Sequence, residues 1–272
     1  MKLSIKAMIS VVAVFITMGL FTQQLEASSV DSVLSAKHRA ESSKRDQYRH
    51  PKETLNFFQV QSNHTVMEIW PGGGAWYTEV LAPYLRDDGQ LIAAQFNPET
   101  TSSYQQKTLK KFNAKMAADP ALYDKIKMTV FNPPSEVSLG AAGSVDRVVT
   151  FRNVHSWIRD EAGVAAAFKA FYDVLKPGGK LGVTDHRLPE DMDSSEDGHG
   201  GYLKQSYVIE MAEAAGFKLE ASSEINANAK DTATHPKGVW TLPPVLALKD
   251  QDKEKYQAIG ESDRMTLLFV KK

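Results

Sequence analysis

The sequence has no cysteine in its 272 residues. There is therefore no disulfide framework, no lipid-anchoring cysteine and no thiol nucleophile. It also has no surplus of either charge, with 32 Lys+Arg facing 33 Asp+Glu. A nucleic-acid partner normally demands a basic excess, so that class is disfavoured. Like-charge runs, internal repeats and low-complexity tracts are absent as well. No GxSxG elbow supports a serine hydrolase. What remains is ordinary: 42% hydrophobic and 24% charged residues, enough for one large α/β domain with a real core.

No apolar run reaches the roughly 20 residues that a membrane-spanning helix requires. The longest, Ala7–Phe21, follows Lys2 and Lys6 and precedes a polar segment ending LEASS. That is the three-part pattern of a secretory signal over residues 1–27, with Ala27 last before the cut. The expectation is a periplasmic or secreted protein with no stable membrane association after cleavage. Residues 28–50, rich in Ser, Lys and Arg, read as a polar arm. From Pro51 to Lys272 the pattern is that of a single domain.

Within that domain strands and helices alternate. VMEI (Val66–Ile69), QLIAAQF (Gln90–Phe96), KIKMTVF (Lys125–Phe131) and SVDRVVTF (Ser144–Phe151) read as strands, as do KLGVTDH, KLEASSE and DRMTLLFVKK. Helical patterns fall between most of them, the strongest being EAGVAAAFKAFYDVL, closed by LKPGG. This alternation predicts a doubly wound, mostly parallel seven-stranded sheet with helices on both faces. TLPPVLAL (Thr241–Leu248), with two prolines, reads as a connector before the last strand.

The stretch VMEIWPGGGAWYTEVL (Val66–Leu81) joins the first strand to a helix through Gly72, Gly73 and Gly74. Such a turn lets a ligand approach the backbone with a helix N-terminus behind it. Glu68 is an acid inside an apolar strand, which costs free energy unless it is hydrogen-bonded. EIWPGGG at 68–74, LKPGG and the closing RMTLLFVKK together resemble the class I S-adenosylmethionine (SAM)-dependent methyltransferases. Their first motif runs acidic-x-Gly-x-Gly-x-Gly, matched here at Glu68, Gly72 and Gly74. The resemblance covers roughly residues 50–272 and extends to an exported bacterial group that carries EIWPGGG, FRN.H.W and SDRM-like stretches. It implies SAM as cofactor, with Glu68, Trp70, Gly72, Gly73, Gly74, Gln95, Asn97, Asn132 and Asn153 around it. Trp70 replaces the first glycine, and Gln95 stands where the family has an acid for the ribose. An amide still hydrogen-bonds a ribose, though without charge assistance; Asn97 is the alternative partner.

FRNVHSW (Phe151–Trp157) and TDHR (Thr184–Arg187) follow strands four and five, placing Arg152, Asn153, His155, Trp157, Asp185, His186 and Arg187 at one sheet edge. His155 or His186 would act as general base, while Arg152 and Arg187 would clamp an anionic small-molecule substrate. Singly, an Asp185–Arg152 pair and strand-capping histidines would explain these residues; as a group they exceed what loop capping needs. His155, His186, His199 and His235 with Asp185 also offer metal ligands, but none has HxH or HxxxH spacing, and the reading adopted has no metal. Two functions follow. One is methyl transfer from SAM to a small nucleophile. The other is an exported binding or scaffold protein that kept the fold without the reaction, since SAM is made in the cytoplasm and fold does not fix function.

Overall fold

The computed structural model describes residues 29–158, 160–193 and 199–272. The signal reading of residues 1–27 lies outside the described residues. Among the described residues no helix is long and apolar enough to cross a membrane.

The chain opens with α1 (Val30–Leu34), two 3-10 turns at Lys37–Arg39 and Ser42–Arg45, α2 (Asp46–Arg49) and α3 (Pro51–Phe57). Then come β1 (Thr65–Ile69), α4 (Thr78–Leu85), β2 (Gln90–Gln95), α5 (Ser103–Ala118), α6 (Pro120–Tyr123) and β3 (Lys127–Val130). β4 (Val145–Phe151), α7 (Val154–Trp157), α8 (Glu161–Val174) and β5 (Leu175–Leu188) follow. β6 (Leu203–Lys204), α9 (Gln205–Ala214), β7 (Phe217–Ser223), α10 (Lys253–Ile259) and β8 (Arg264–Lys271) complete it. Local chemistry sets several boundaries. Pro51 and Pro120 open α3 and α6, where a missing N–H costs nothing. Ser102 and Asp160 accept backbone N–H groups at the starts of α5 and α8.

The strands form one sheet in the order β3-β2-β1-β4-β5-β8-β7, with β6 paired to β5 off that path. β1 to β5 run parallel, and β8 is antiparallel to both β5 and β7. The expected sheet is present, with the two-residue β6 added. LKPGG stands at the boundary expected of a helix stop: α8 ends at Val174, and Leu175 already pairs with Val145.

Side chains alternate across the sheet, as strand geometry requires. Met67, Ile69, Val148 and Leu181 join the core with α8 and α9 on one face. Val66, Val149 and Leu268 join a second core with α3 and α4 on the other. The second core includes Phe58, which is fully buried and lies against Gly182 of β5. A Cβ at Gly182 would sit 2.5 Å from the Phe58 ring, so only glycine lets this ring seat on the sheet.

Residues 29–50, expected as a polar arm, are not simply solvated. Arg39 and Arg49 are buried, and their guanidinium groups lie 5.1 and 4.6 Å from the Trp76 ring centroid. Arg39 forms a two-pronged pair with Asp46 at 2.8 and 2.9 Å. Arg49 donates to Glu261 at 3.2 Å. The arm is thereby fixed to α4 and to the entrance of β8.

Phe58→Ala should leave a void that the glycine-flat strand beneath cannot fill. Expected is a loss of about 3–5 kcal/mol, read as a drop of several degrees in the melting temperature. A change below one degree would show that this face is held elsewhere.

Candidate active site

A cavity of about 580 Å³ opens at the carboxyl ends of β1, β4 and β5, where a doubly wound sheet binds its ligands. Its walls are the turn after β1, the start of α5, the turn after β4, His186 near the end of β5, and the 239–245 connector.

The turn after β1 supplies Trp70, Pro71 and Gly72 to the lining. Gly72 has φ +71°, and a Cβ there would meet nothing within 4 Å, so the backbone faces open space. Gly73 rests on α5, its ideal Cβ 3.0 Å from Lys111 Cβ. Lys115 of the same helix donates to the Gly74 carbonyl at 2.6 Å. Trp70 adopts φ +44°, sparsely populated ground for a non-glycine residue. Its ring nitrogen donates to the Phe131 carbonyl at 2.8 Å, and its ring centroid lies 4.6 Å from that of Phe96. The indole thus lies across the ends of β1, β2 and β3 and forms one wall. Asn153 fixes the same turn by donating to the Ile69 carbonyl at 2.8 Å.

Beneath the loop, Glu68 accepts a hydrogen bond from the Thr78 hydroxyl at 2.7 Å, joining β1 to the first residue of α4. Burial pushes its carboxyl up to about 7, against the lesser opposing pull of Thr78 and Lys115.

The turn after β4 provides the polar centre. His155 Nδ1 is 2.9 Å from Asp185 Oδ1. The backbone N–H groups of His155 and His186 donate to the same carboxylate at 3.3 and 2.8 Å. Asp185 is fully buried. With its oxygens already accepting two backbone donors, the carboxylate takes the Nδ1–H of His155 and leaves Nε2 as the basic atom. The His186 ring lies 5.2 Å from that of His155, and its Nδ1 is 2.5 Å from the Ser262 hydroxyl. Burial, followed by nearby His155 and Arg152, holds the His186 ring well below the usual 6.5. His186 is therefore a neutral wall group, and His155 is the better base. Asp185 pairs with His155, not with Arg152.

Arg152 also lines the cavity, at φ +62°, its backbone N–H bonded to the Thr184 carbonyl at 2.7 Å. Burial lowers its guanidinium to about 10, with Glu261 pulling the other way, so it stays charged at neutral pH.

The structure leaves other candidate residues off the lining. Arg187, read as the second clamp, is committed to Asp263 at 2.8 Å and to Glu224 through two bonds of 2.7 and 2.8 Å. Asn97 donates to Glu136 at 2.5 Å and accepts the Glu99 N–H at 2.8 Å. Asn132 bridges to Glu136 and accepts from Gln105 at 3.4 Å. Gln95 is buried below the rim with Phe96 lining the cavity above it. Among the described residues the Gln95 amide nitrogen has no hydrogen-bond partner. Trp157 is buried against Trp70, with ring centroids 5.4 Å apart, and is core.

Sequence reasoning missed Glu261 and Ser262, which enter from the segment before β8. Glu261 accepts from Arg45 at 2.6 Å, Arg264 at 3.1 Å and Arg49 at 3.2 Å. Burial alone would raise its carboxyl, but Arg49, Arg264 and Arg45 hold it at about 2. The only local signal was the acid in IGESDRM. The connector contributes Trp240, Pro243 and Pro244 as an apolar wall. The part of EDGHGGYL before His199, read as a mobile loop, lies outside the described residues.

His155, Asp185 and His186 bring ligand-capable atoms within 4.8 Å of one another. Asp185 already accepts three donors, and Arg152 acts on the neighbouring imidazole. This positive surrounding opposes a cation there. His235 is bonded elsewhere, to Asp231 at 2.8 Å.

No protein-family model and no curated protein matches the chain. Solved structures do match in fold. A SAM-dependent methyltransferase from Aquifex aeolicus superposes with a TM-score of 0.56 at 12% identity, over 90% of this chain and all of that one. The [4+2]-cyclase SpnF gives 0.53 at 17% identity, over 82% of this chain and 80% of that one. The YcgJ protein from Bacillus subtilis gives 0.52 at 13% identity, over 82% and 98%. The chain therefore has the Rossmann-like fold of SAM-dependent methyltransferases, a fold that also occurs in the cyclase.

The Glu68 proton is held more tightly in the folded chain than in the unfolded one. Stability should therefore fall as pH rises from the usual 4.5 toward 7. Glu68→Gln should match the parent near pH 5 and exceed it near pH 8 by on the order of 3 kcal/mol. Parallel denaturation curves across that pH range would contradict the assignment.

Proposed function

We propose that the protein is a SAM-dependent methyltransferase acting on a small molecule. The observation that carries the reading is one cavity holding both an open glycine turn at Gly72 and the His155–Asp185 pair. The residues suit the cofactor. The turn is open, Gln95 below the rim has a buried amide donor without a partner among the described residues, and Phe96 offers an apolar face. Gly72, Trp70, Phe96 and Asn153 would border it, with Gln95 and Glu68 behind. When bound, SAM supplies an electrophilic methyl group.

The chain's own residues then do three things. Asp185 fixes the His155 tautomer so that Nε2 takes the proton of an attacking hydroxyl or amine. Asn153 holds the β1 turn against β4 so that ligand and base keep a constant separation. The Trp240–Pro244 wall limits access of water to that space. The N-terminal pattern adds that this enzyme works outside the cytoplasm.

The second reading, an exported binding protein of the same fold, draws on Trp70 and Gln95 at the motif positions. Calorimetric titration of the purified protein with SAM and S-adenosylhomocysteine separates the two. Micromolar binding is expected, lost in Gly72→Val because a branched residue is strained at φ +71°. Absence of heat and of thermal shift at millimolar ligand would remove the cofactor and favour the binding protein. His155→Ala should keep S-adenosylhomocysteine affinity while lowering turnover by roughly 10²–10⁴-fold. An unchanged rate would remove His155 as base.

A further inference from the structure

We propose that the molecule accepted beside His155 carries a carboxylate, and that Arg152 is its anchor. The inference deepens the methyl-transfer reading and rests on it only for what happens to the acceptor after binding.

Arg152 lines the cavity, yet among the described residues no acceptor hydrogen-bonds or ion-pairs with its guanidinium. The other arginines around it are committed. Arg45, Arg49 and Arg264 all converge on Glu261, the sole acidic residue on the cavity lining among the described residues. One carboxylate is thus shared by three guanidinium groups and has nothing left for a fourth. The outer nitrogens of Arg45 and Arg49 are themselves buried without a partner among the described residues. Among the described residues, four guanidinium groups face only Glu261 and Asp185 here, so this corner holds more arginines than acids. A half-buried guanidinium in such surroundings lowers its free energy by taking an oxyanion.

The backbone is shaped for the same purpose. Arg152 sits in the left-handed region at φ +62° between two fixed neighbours. Phe151 stacks on Tyr77 with ring centroids 3.5 Å apart, and Asn153 is bonded to the Ile69 carbonyl. Strain of this kind, at a residue with an unused fork, is typical of binding clamps. Among the described residues the lining holds no lysine and no second arginine. One planar fork takes one carboxylate through two parallel hydrogen bonds. Trp240, Phe151 and Val239 leave an apolar space for the body of the molecule. Arg152 and His155 belong to one turn, so a short acid held by the first brings its far end toward the second.

The test uses the whole protein, with S-adenosylhomocysteine present and absent, and ligand-observed NMR. Probes are 4-hydroxybenzoate with 4-hydroxybenzamide, phenylacetate with phenylacetamide, and phenyl phosphate. Each acid should bind at least about tenfold more tightly than its amide. Arg152→Gln should erase that preference, and Arg152→Lys should restore part of it while S-adenosylhomocysteine affinity stays constant. Equal binding of acids and amides, acid binding that survives Arg152→Gln, no acid binding at millimolar concentration, or tighter binding of phenyl phosphate would each overturn the proposal. Should Arg152→Gln fail to fold, the acid-to-amide ratio of the parent and its reduction in Arg152→Lys decide. Arg152-dependent acid binding without any S-adenosylhomocysteine binding would sustain the carboxylate site and sink methyl transfer.

Discussion

Glu261 is the contact on which the architecture of the site depends. Its carboxylate is buried and accepts from Arg45 and Arg49 of the N-terminal region and from Arg264 of β8. A buried ion pair contributes little net stability against an apolar substitute, but removing one partner leaves an uncompensated charge that costs about 3–5 kcal/mol. The three arginines are therefore obligate partners of this acid. Through them a stretch that precedes the first strand is tied to a residue that lines the cavity. Shared by these three, the same carboxylate makes no hydrogen bond to Arg152, so one group bears on both architecture and recognition.

Asp185 performs the corresponding task between strands. It receives N–H groups from the turn after β4 and from β5 itself, and it orients the His155 imidazole through Nδ1. The two histidines look alike in sequence and part ways in the folded chain. His155 is held by a carboxylate, whereas His186 is surrounded by burial and positive charge. Opposite environments on rings 5.2 Å apart are how one fold assigns different tasks to one residue type.

Much of this was legible in the sequence because it rests on local periodicity. The apolar runs at 66–69, 90–96 and 144–151 became β1, β2 and β4, and Gly72 took the positive φ that a ligand-facing turn requires. Arg152, His155, Asp185 and His186 came together because they lie at the ends of adjacent parallel strands. What escaped rests on pairings between distant segments. Arg187 carries the same sequence signal as Arg152, but Asp263 lies across from it on the neighbouring strand and takes its charge. Arg45 and Arg49 look like solvated residues until Glu261, more than 200 positions later, is brought beside them. The two-residue β6 is too short to have any period at all.

The position of β8 has a consequence for how the chain reaches its folded state. β8 follows β7 in the chain yet lies inside the sheet, between β5 and β7, and runs against both. Until it arrives, β5 presents an open apolar edge and β7 has no neighbour to pair with. Glu261 and Arg264 arrive with it, so Arg45 and Arg49 meet their counterion only 216 and 212 positions later. These contacts are long-range, the kind that slow folding because loop closure precedes their reward. An emerging chain of this topology holds its parallel half as an unfinished surface until β8 is inserted.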